Sequence, residues 1–301
     1  MVANAAGSPA PALNINHECK PSQVRDTERV SRVRIISGLL VVALIAASGD
    51  GEAQRRFGGR GSYGRLRLAT AADSDGAFHF CRVAFQGRRG SSWAVDSPQA
   101  DVNLSIRLSE LTRVRVSFDS EREPNHLVVR LTDPDLFTCP FIMMTEVGTL
   151  YLDDEEADRL REYLLKGGFL WADDFWGSYE WQNWELEIRK VFPSGQFPMV
   201  DLPLDHPLFR THFVVQKIPQ IASINYWMGS GGDTSERGSD SAVPTLRAIL
   251  DPHGRPMVVI THNTDLGDSF EREGDDPNYF YRFAVDGYAL GINILLYSMT
   301  H

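Results

Sequence analysis

Four short apolar runs in this chain each hand over directly to acids or amides. Leu127–Leu131 is followed by Thr132 and Asp133, Phe141–Thr145 by Glu146, and Gly168–Ala172 by Asp173 and Asp174. Met257–Thr261 is followed by His262, Asn263, Thr264 and Asp265, with Asp268 close behind. Carboxylates gathered in one place repel unless they are protonated, hydrogen-bonded, bound to a metal or faced by a cationic or polyhydroxyl ligand. Any one of these residues has a local explanation, because Asp and Asn are favoured at helix caps and turns. The set as a whole marks a candidate ligand crevice comprising Asp133, Glu146, Asp173, Asp174, Asn263, Asp265 and Asp268.

Aromatic residues crowd the same stretch: Trp171, Phe175, Trp176, Tyr179, Trp181 and Trp184. Trp181 and Trp184 lie three apart, share a helix face and read as core. Trp176, beside the acid pair in a Gly-containing turn, is the candidate wall of the site. Carboxylates and amides beside an aromatic face suit a glycan, a peptide or a divalent cation. His206, within Asp205-His206-Pro207, and His262 are the candidate general bases, although a base needs a partner within hydrogen-bond reach that spacing alone does not supply. Ordering its own loop through backbone hydrogen bonds is an equal reading of His206.

The common catalytic patterns are missing: there is no GxSxG elbow, GxxxxGK(S/T) phosphate loop, HExxH helix or EF-hand loop. Cys19, Cys81 and Cys139 form no CxxC pair, which excludes a zinc knuckle and a disulfide-rich scaffold. Cys139 precedes an apolar run, whereas a nucleophile is expected after one, so it reads as a packed structural cysteine. Thirty Lys and Arg against 40 Asp and Glu give a net charge of −10 over 301 residues, so the surplus that neutralises nucleic-acid phosphates is absent. A nucleic-acid partner is excluded on that ground.

Bringing the acids to one edge requires the apolar runs to be strands of a sheet. Phe78–Phe85 is apolar on both faces, as a buried strand is. Pro98–Thr112 reads as a helix with Ala100, Leu104, Leu108 and Leu111 on one stripe. Asp153–Lys166 is the clearest helix: Asp153 caps it, Glu155 and Glu156 occupy its first turn, Ala157, Leu160 and Leu164 form the buried stripe, and Gly167 stops it. Later strands are expected at Phe213–Val215, Leu246–Leu250 and Met257–Thr261, with a last helix over Asn278–Met299. Strands alternating with helices indicate an α/β fold with a mostly parallel sheet covered on both faces. In such sheets ligands bind outside the carboxyl ends of the strands, where the acids fall.

The N-terminal region carries an address. Arg32 and Arg34 precede the apolar run Ile35–Ala47, and Ser48–Ala53 ends on a small-residue cleavage pattern. Residues 1–53 therefore read as a signal segment, with residues 1–29 lying upstream of a true start at Val30. Thirteen apolar residues fall short of the roughly 20 that span a bilayer, so an uncleaved anchor is the lesser reading. Cleavage removes five basic and five acidic residues and leaves the net charge at −10. Residues 54–77, with the Gly- and Arg-rich Arg55–Ser62, read as a mobile linker, and 78–301 as a single α/β domain. The expected location is the periplasm or cell envelope, where Cys81 and Cys139 are free to pair if their strands lie close.

Several unusual strings occur in order: Trp93-x-x-Asp96-x-Pro98-x-Ala100-Asp101, Leu131-Thr132-Asp133-Pro134, Gly167 through Gly177, Asp205-His206-Pro207-Leu208-Phe209, and Asn263-Thr264-Asp265-Leu266-Gly267-Asp268. Together they resemble the bacterial family known as domain of unknown function 4159, over about Phe78 to His301. The resemblance implies a three-layer α/β/α sandwich, flavodoxin-like and similar to class I glutamine amidotransferases. By analogy with the neighbourhoods of relatives, it also implies an envelope protein partner. Those amidotransferases place a cysteine nucleophile at the turn after a central strand. Here Asp173-Asp174-Phe175 stands in that place, so glutamine hydrolysis by a thiolate is not expected. Two readings remain open. The first is an exported binding or scaffold domain whose acidic, Trp-lined crevice holds a glycan, a peptide or a divalent cation. The second is a hydrolase using Asp173 or Asp174 with His206 or His262, and Asn263 to orient substrate.

Overall fold

The computed structural model describes residues 68–70, 73–88, 90 and 92–301. The expected signal segment, residues 1–53, and the Arg55–Ser62 part of the expected linker lie outside the described residues. In chain order the strands are β1 (Phe80–Val83), β2 (Gln86–Gly87), β3 (His126–Val129), β4 (Ile142–Thr145), β5 (Leu150–Tyr151), β6 (Leu170–Asp173), β7 (Met199–Asp201), β8 (Thr245–Leu250) and β9 (Pro256–His262). The helices are α1 (Gln99–Leu111), α2 (Asp154–Leu165), α3 (Gly177–Val191), α4 (Ile224–Gly229), α5 (Leu266–Glu271), α6 (Pro277–Tyr279) and α7 (Val285–Thr300), the last two joined by a π-helical turn at Phe280–Ala284.

Seven strands form the main sheet in the order β3-β1-β4-β6-β9-β8-β7. β3, β1, β4, β6 and β9 run parallel, and β8 and β7 extend the sheet by antiparallel pairing beyond β9. A mixed α/β fold with a mostly parallel central sheet is thus observed. Side chains alternate across the strands, as the period of two requires. Ile142 and Met144 of β4 join Leu160, Leu164, Trp184 and Ile188 of α2 and α3 in one core. Met143 of the same strand joins Leu104 of α1, Phe270 of α5 and Ile294 of α7 in the other. Both faces are covered, which is why the central strands read as continuous apolar runs.

The expected ends of α2 hold in detail. The Asp153 side chain accepts from Glu156 N at 2.8 Å and the Glu156 side chain accepts from Asp153 N at 3.1 Å, a reciprocal capping box. Three expectations need correction. Leu111 ends α1 but is exposed, while Leu108 in the same turn is fully buried and closes the stripe. Phe213–Val215 is no strand: Asn293 of α7 accepts from His212 N and Phe213 N through Oδ1 and donates to Phe213 O through Nδ2, so side-chain bonds replace a ladder. The short antiparallel β7 lies where no strand was expected. Among the described residues no helix is long and apolar enough to cross a membrane.

Cys81 of β1 and Cys139, just ahead of β4, are joined in a disulfide with Cα atoms 6.2 Å apart, closing a separation of 58 residues. A bridge of that span restricts the unfolded chain and stabilises the fold by about 2–5 kcal/mol. Reduction, or Cys139→Ser, is therefore expected to lower the urea-unfolding free energy by that amount, and an unchanged midpoint would show that the bridge contributes nothing.

Candidate functional site

A crevice of about 590 Å³ opens at the carboxyl ends of the central strands, a size ordinary for a ligand site. Eight carboxylates line it against two guanidiniums, those of Arg237 and Arg272. Its acids come from several connections: Asp96 from the β2–α1 loop, Glu146 after β4, Asp174 and Glu180 after β6, Asp265, Asp268 and Glu271 after β9, and Glu236 from the segment after α4. Trp176 and Ser223 contribute to the walls.

The centre of the crevice is Asp96, Asp174 and Asp265, all buried, with one carboxylate oxygen of each within 4.8 Å of the others. Asp96 has φ 60° and Asp174 φ 55°, and Glu146 (φ 52°) and Asn263 (φ 60°) are also left-handed; among the described non-glycine residues only Arg122 shares that conformation elsewhere. Each such residue costs roughly 1–3 kcal/mol of backbone strain, which the surroundings must offset. The side chains are correspondingly fixed. Trp176 Nε1 donates to Asp174 Oδ1 at 3.1 Å and Asp268 N donates to Asp265 Oδ1 at 2.8 Å, leaving the other oxygen of each for a ligand. Asp96 Oδ2 is buried and has no hydrogen-bond partner. It sits where Gly267 lacks a Cβ, since one built there would come within 2.4 Å of that oxygen.

Burial, reinforced by the neighbouring carboxylates, holds Asp96, Asp174 and Asp265 well above the ordinary carboxylate range. Asp268 is raised chiefly by burial, against the opposing hydrogen bonds from Ile224 N and the Tyr279 hydroxyl. Three buried acids with converging oxygens, one of them bearing an unsatisfied oxygen, have the donor chemistry of a hard cation site, since carboxylate oxygens suit Mg²⁺, Ca²⁺ and Mn²⁺.

Of the residues singled out in the sequence, Glu146, Asp174, Trp176, Asp265 and Asp268 line the crevice. The others are placed differently. Asp173 lies beneath it, fully buried, accepting from Thr261 Oγ1 and from the backbone N–H groups of Leu266 and Gly267, and so ties β6 to the start of α5. Burial pushes its carboxyl up to about 7 despite those bonds. Asn263 is spent on structure: Oδ1 accepts from Gly177 N at 2.8 Å and Nδ2 donates to Val243 O at 2.9 Å. His262 is packed between Phe175 and Trp181, its Nε2 3.1 Å from Gly177 O. Asp133 follows the edge strand β3 and accepts from Arg130 N, a turn role. His206 accepts from Leu208 N through Nδ1 and lies tilted against the Tyr297 ring, ordering its loop.

Asp96 was the important omission. It lies 13 residues beyond the end of β1, so no strand-end rule reaches it, although the carboxyl edge of β1 is where its loop returns. Glu271 was also missed, yet Asp265, Asp268 and Glu271 fall three residues apart, on one face from the N-cap to the last residue of α5.

A mostly parallel α/β sheet with an acidic crevice at its carboxyl edge defines the class of the domain. The family described as Domain of unknown function (DUF4159) matches residues 79–299, and the chain belongs to that family. No curated protein matches the chain.

His262, in the frame beside the crevice, has a measurable pH signature. Burial lowers it from 6.5 to about 4, so the unfolded chain takes up its proton first and its own contribution to stability falls as pH drops from 6.5 towards 4. The difference is worth about 3 kcal/mol at the bottom of that window. His262→Gln, which keeps a donor for Gly177 O, is expected to lose less stability than wild type between pH 6.5 and 4 in paired denaturant titrations; parallel profiles would contradict the assignment.

Proposed function

We propose that this chain is an exported binding domain whose crevice takes a hard divalent cation between Asp96, Asp174 and Asp265. The observation that carries the reading is the arrangement of oxygens. Asp174 and Asp265 are each anchored through one oxygen, one carboxylate oxygen of each converges with one of Asp96 to within 4.8 Å, and Asp96 carries a buried oxygen without a hydrogen-bond partner. Hydrogen bonds that orient ligand carboxylates are the usual support of a metal centre. Repulsion between the three acids, relieved by a cation, gives binding its driving force. A cation held by three carboxylates keeps coordination positions for an oxygen-rich ligand in the remainder of the crevice.

The finer description of the fold is the flavodoxin-like three-layer sandwich. Numbering only the parallel strands in chain order, β3-β1-β4-β6-β9 reads 2-1-3-4-5, the flavodoxin order, and the crevice lies beside the reversal between β1 and β4. Export is supported by the Cys81–Cys139 disulfide, since such bonds persist in oxidising compartments. A new N-terminus near Gln54 on envelope-fraction protein tests it. Binding is favoured over hydrolysis because His206 and His262 are both committed elsewhere, and the turn after β6 offers carboxylates where a glutaminase needs a thiolate.

Mn²⁺ or Ca²⁺ at 100 times its Kd is expected to stabilise the protein by about 2.7 kcal/mol, a rise in Tm of roughly 5–11 °C that chelation reverses. Asp174→Asn is expected to abolish the rise while leaving the metal-free Tm equal to or above that of wild type, because one crowded charge is gone. Absence of a shift in wild type, or an equal shift in the variant, would remove the basis for the reading.

A further inference from the structure

The crevice contains a second convergent set of carboxylates. Asp96, Asp268 and Glu271 also bring ligand oxygens within 4.8 Å of one another, so Asp96 belongs to both sets. Asp268 is held as Asp174 and Asp265 are: its Oδ2 accepts from Ile224 N at 2.6 Å and from the Tyr279 hydroxyl at 2.9 Å, which commits that oxygen and not Oδ1. One protein cation stands there. Arg272 Nε lies 2.7 Å from Glu271 Oε2 and 3.6 Å from Asp268 Oδ1. The Nε contact is an ion pair without hydrogen-bond geometry, and Nη1 also reaches Asp275 Oδ2 at 3.4 Å outside the set.

We propose that the crevice is a two-cation centre in which Asp96 bridges the ions, the second ion taking Asp268 and Glu271 as Arg272 shifts its pairing to Asp275. The inference rests on the first cation site and extends it. Three observations converge on it. The unpartnered oxygen belongs to the residue common to both sets. Carboxylates outnumber guanidiniums in the lining eight to two, more ligand oxygens than a single cation takes up. Arg272 is the group that a second cation would replace electrostatically, and it has an acidic partner waiting outside. All donors are carboxylate oxygens, so both ions belong to the hard class.

The test is a count of Mn²⁺ bound to the metal-free protein by equilibrium dialysis, with electron paramagnetic resonance of the bound ions. Wild type is expected to hold two Mn²⁺ per chain with the exchange-coupled spectrum of a bridged pair. Glu271→Gln is expected to hold one, with the six-line spectrum of an isolated ion. Arg272→Gln, which removes the competing guanidinium and supplies a second variant should Glu271→Gln fold poorly, is expected to tighten the second ion about tenfold and leave the first unchanged. One ion in wild type overturns the two-cation centre while the first site stands, and no ion overturns both. Two ions whose number and coupling ignore Glu271→Gln and Arg272→Gln place the second elsewhere and also overturn the proposal.

Discussion

A guanidinium buried at the floor of the crevice is the constraint on which the rest depends. Arg82 of β1 is fully buried, and a lone charge there would cost several kcal/mol. It is balanced by Asp101 of α1, which accepts from Nε at 3.2 and 3.0 Å. The remaining donors decide the architecture above. Nη1 reaches the carbonyls of Trp93 and Val95 and, at 2.7 Å, Thr145 Oγ1 of β4. One side chain thereby fastens β1, α1, β4 and the loop whose next residue is Asp96. The geometry at Asp96, left-handed and with a bare oxygen, is affordable only because that loop is clamped from below.

The layers beneath and around the acids follow the same logic. Asp173 stitches β6 to α5, Asn263 stitches β9 to the start of α3, and Asp174 and Asp265 are each fixed by one hydrogen bond. The polar residues at this edge are thus divided into two roles: Asp173, His262 and Asn263 hold the frame, and Asp96, Asp174, Asp265, Asp268 and Glu271 face the crevice. The frame stabilises, and the crowded carboxylates oppose it by repulsion. A concave site held under such electrostatic tension has a use for cations that an inert surface has not.

Much of this was legible in the residues. The apolar runs mark β4, β6 and β9 because both sheet faces are buried, and Asp153 with Glu156 marks α2 because its cap is local. Acids following those strands were legible for the same reason, since the carboxyl edge is set by topology. What was not legible depended on distant partners. Phe213–Val215 resembles a strand until Asn293 satisfies its backbone from 80 residues away. Asn263 and His262 resemble site residues until Gly177 and Val243 occupy their polar atoms. Asp96 resembles a loop residue until Arg82 is seen to hold its neighbours.

The central claim is that Asp96, Asp174 and Asp265 converge on a cation. An anomalous-difference map from crystals equilibrated with Mn²⁺, recorded near the manganese edge, addresses it most directly. The account predicts a peak in contact with Asp96 Oδ2 and with one oxygen each of Asp174 and Asp265, at the roughly 2.0–2.6 Å typical of hard-cation ligands. A map with no peak at the crevice, or with manganese bound only at surface acids away from Asp96, would contradict it.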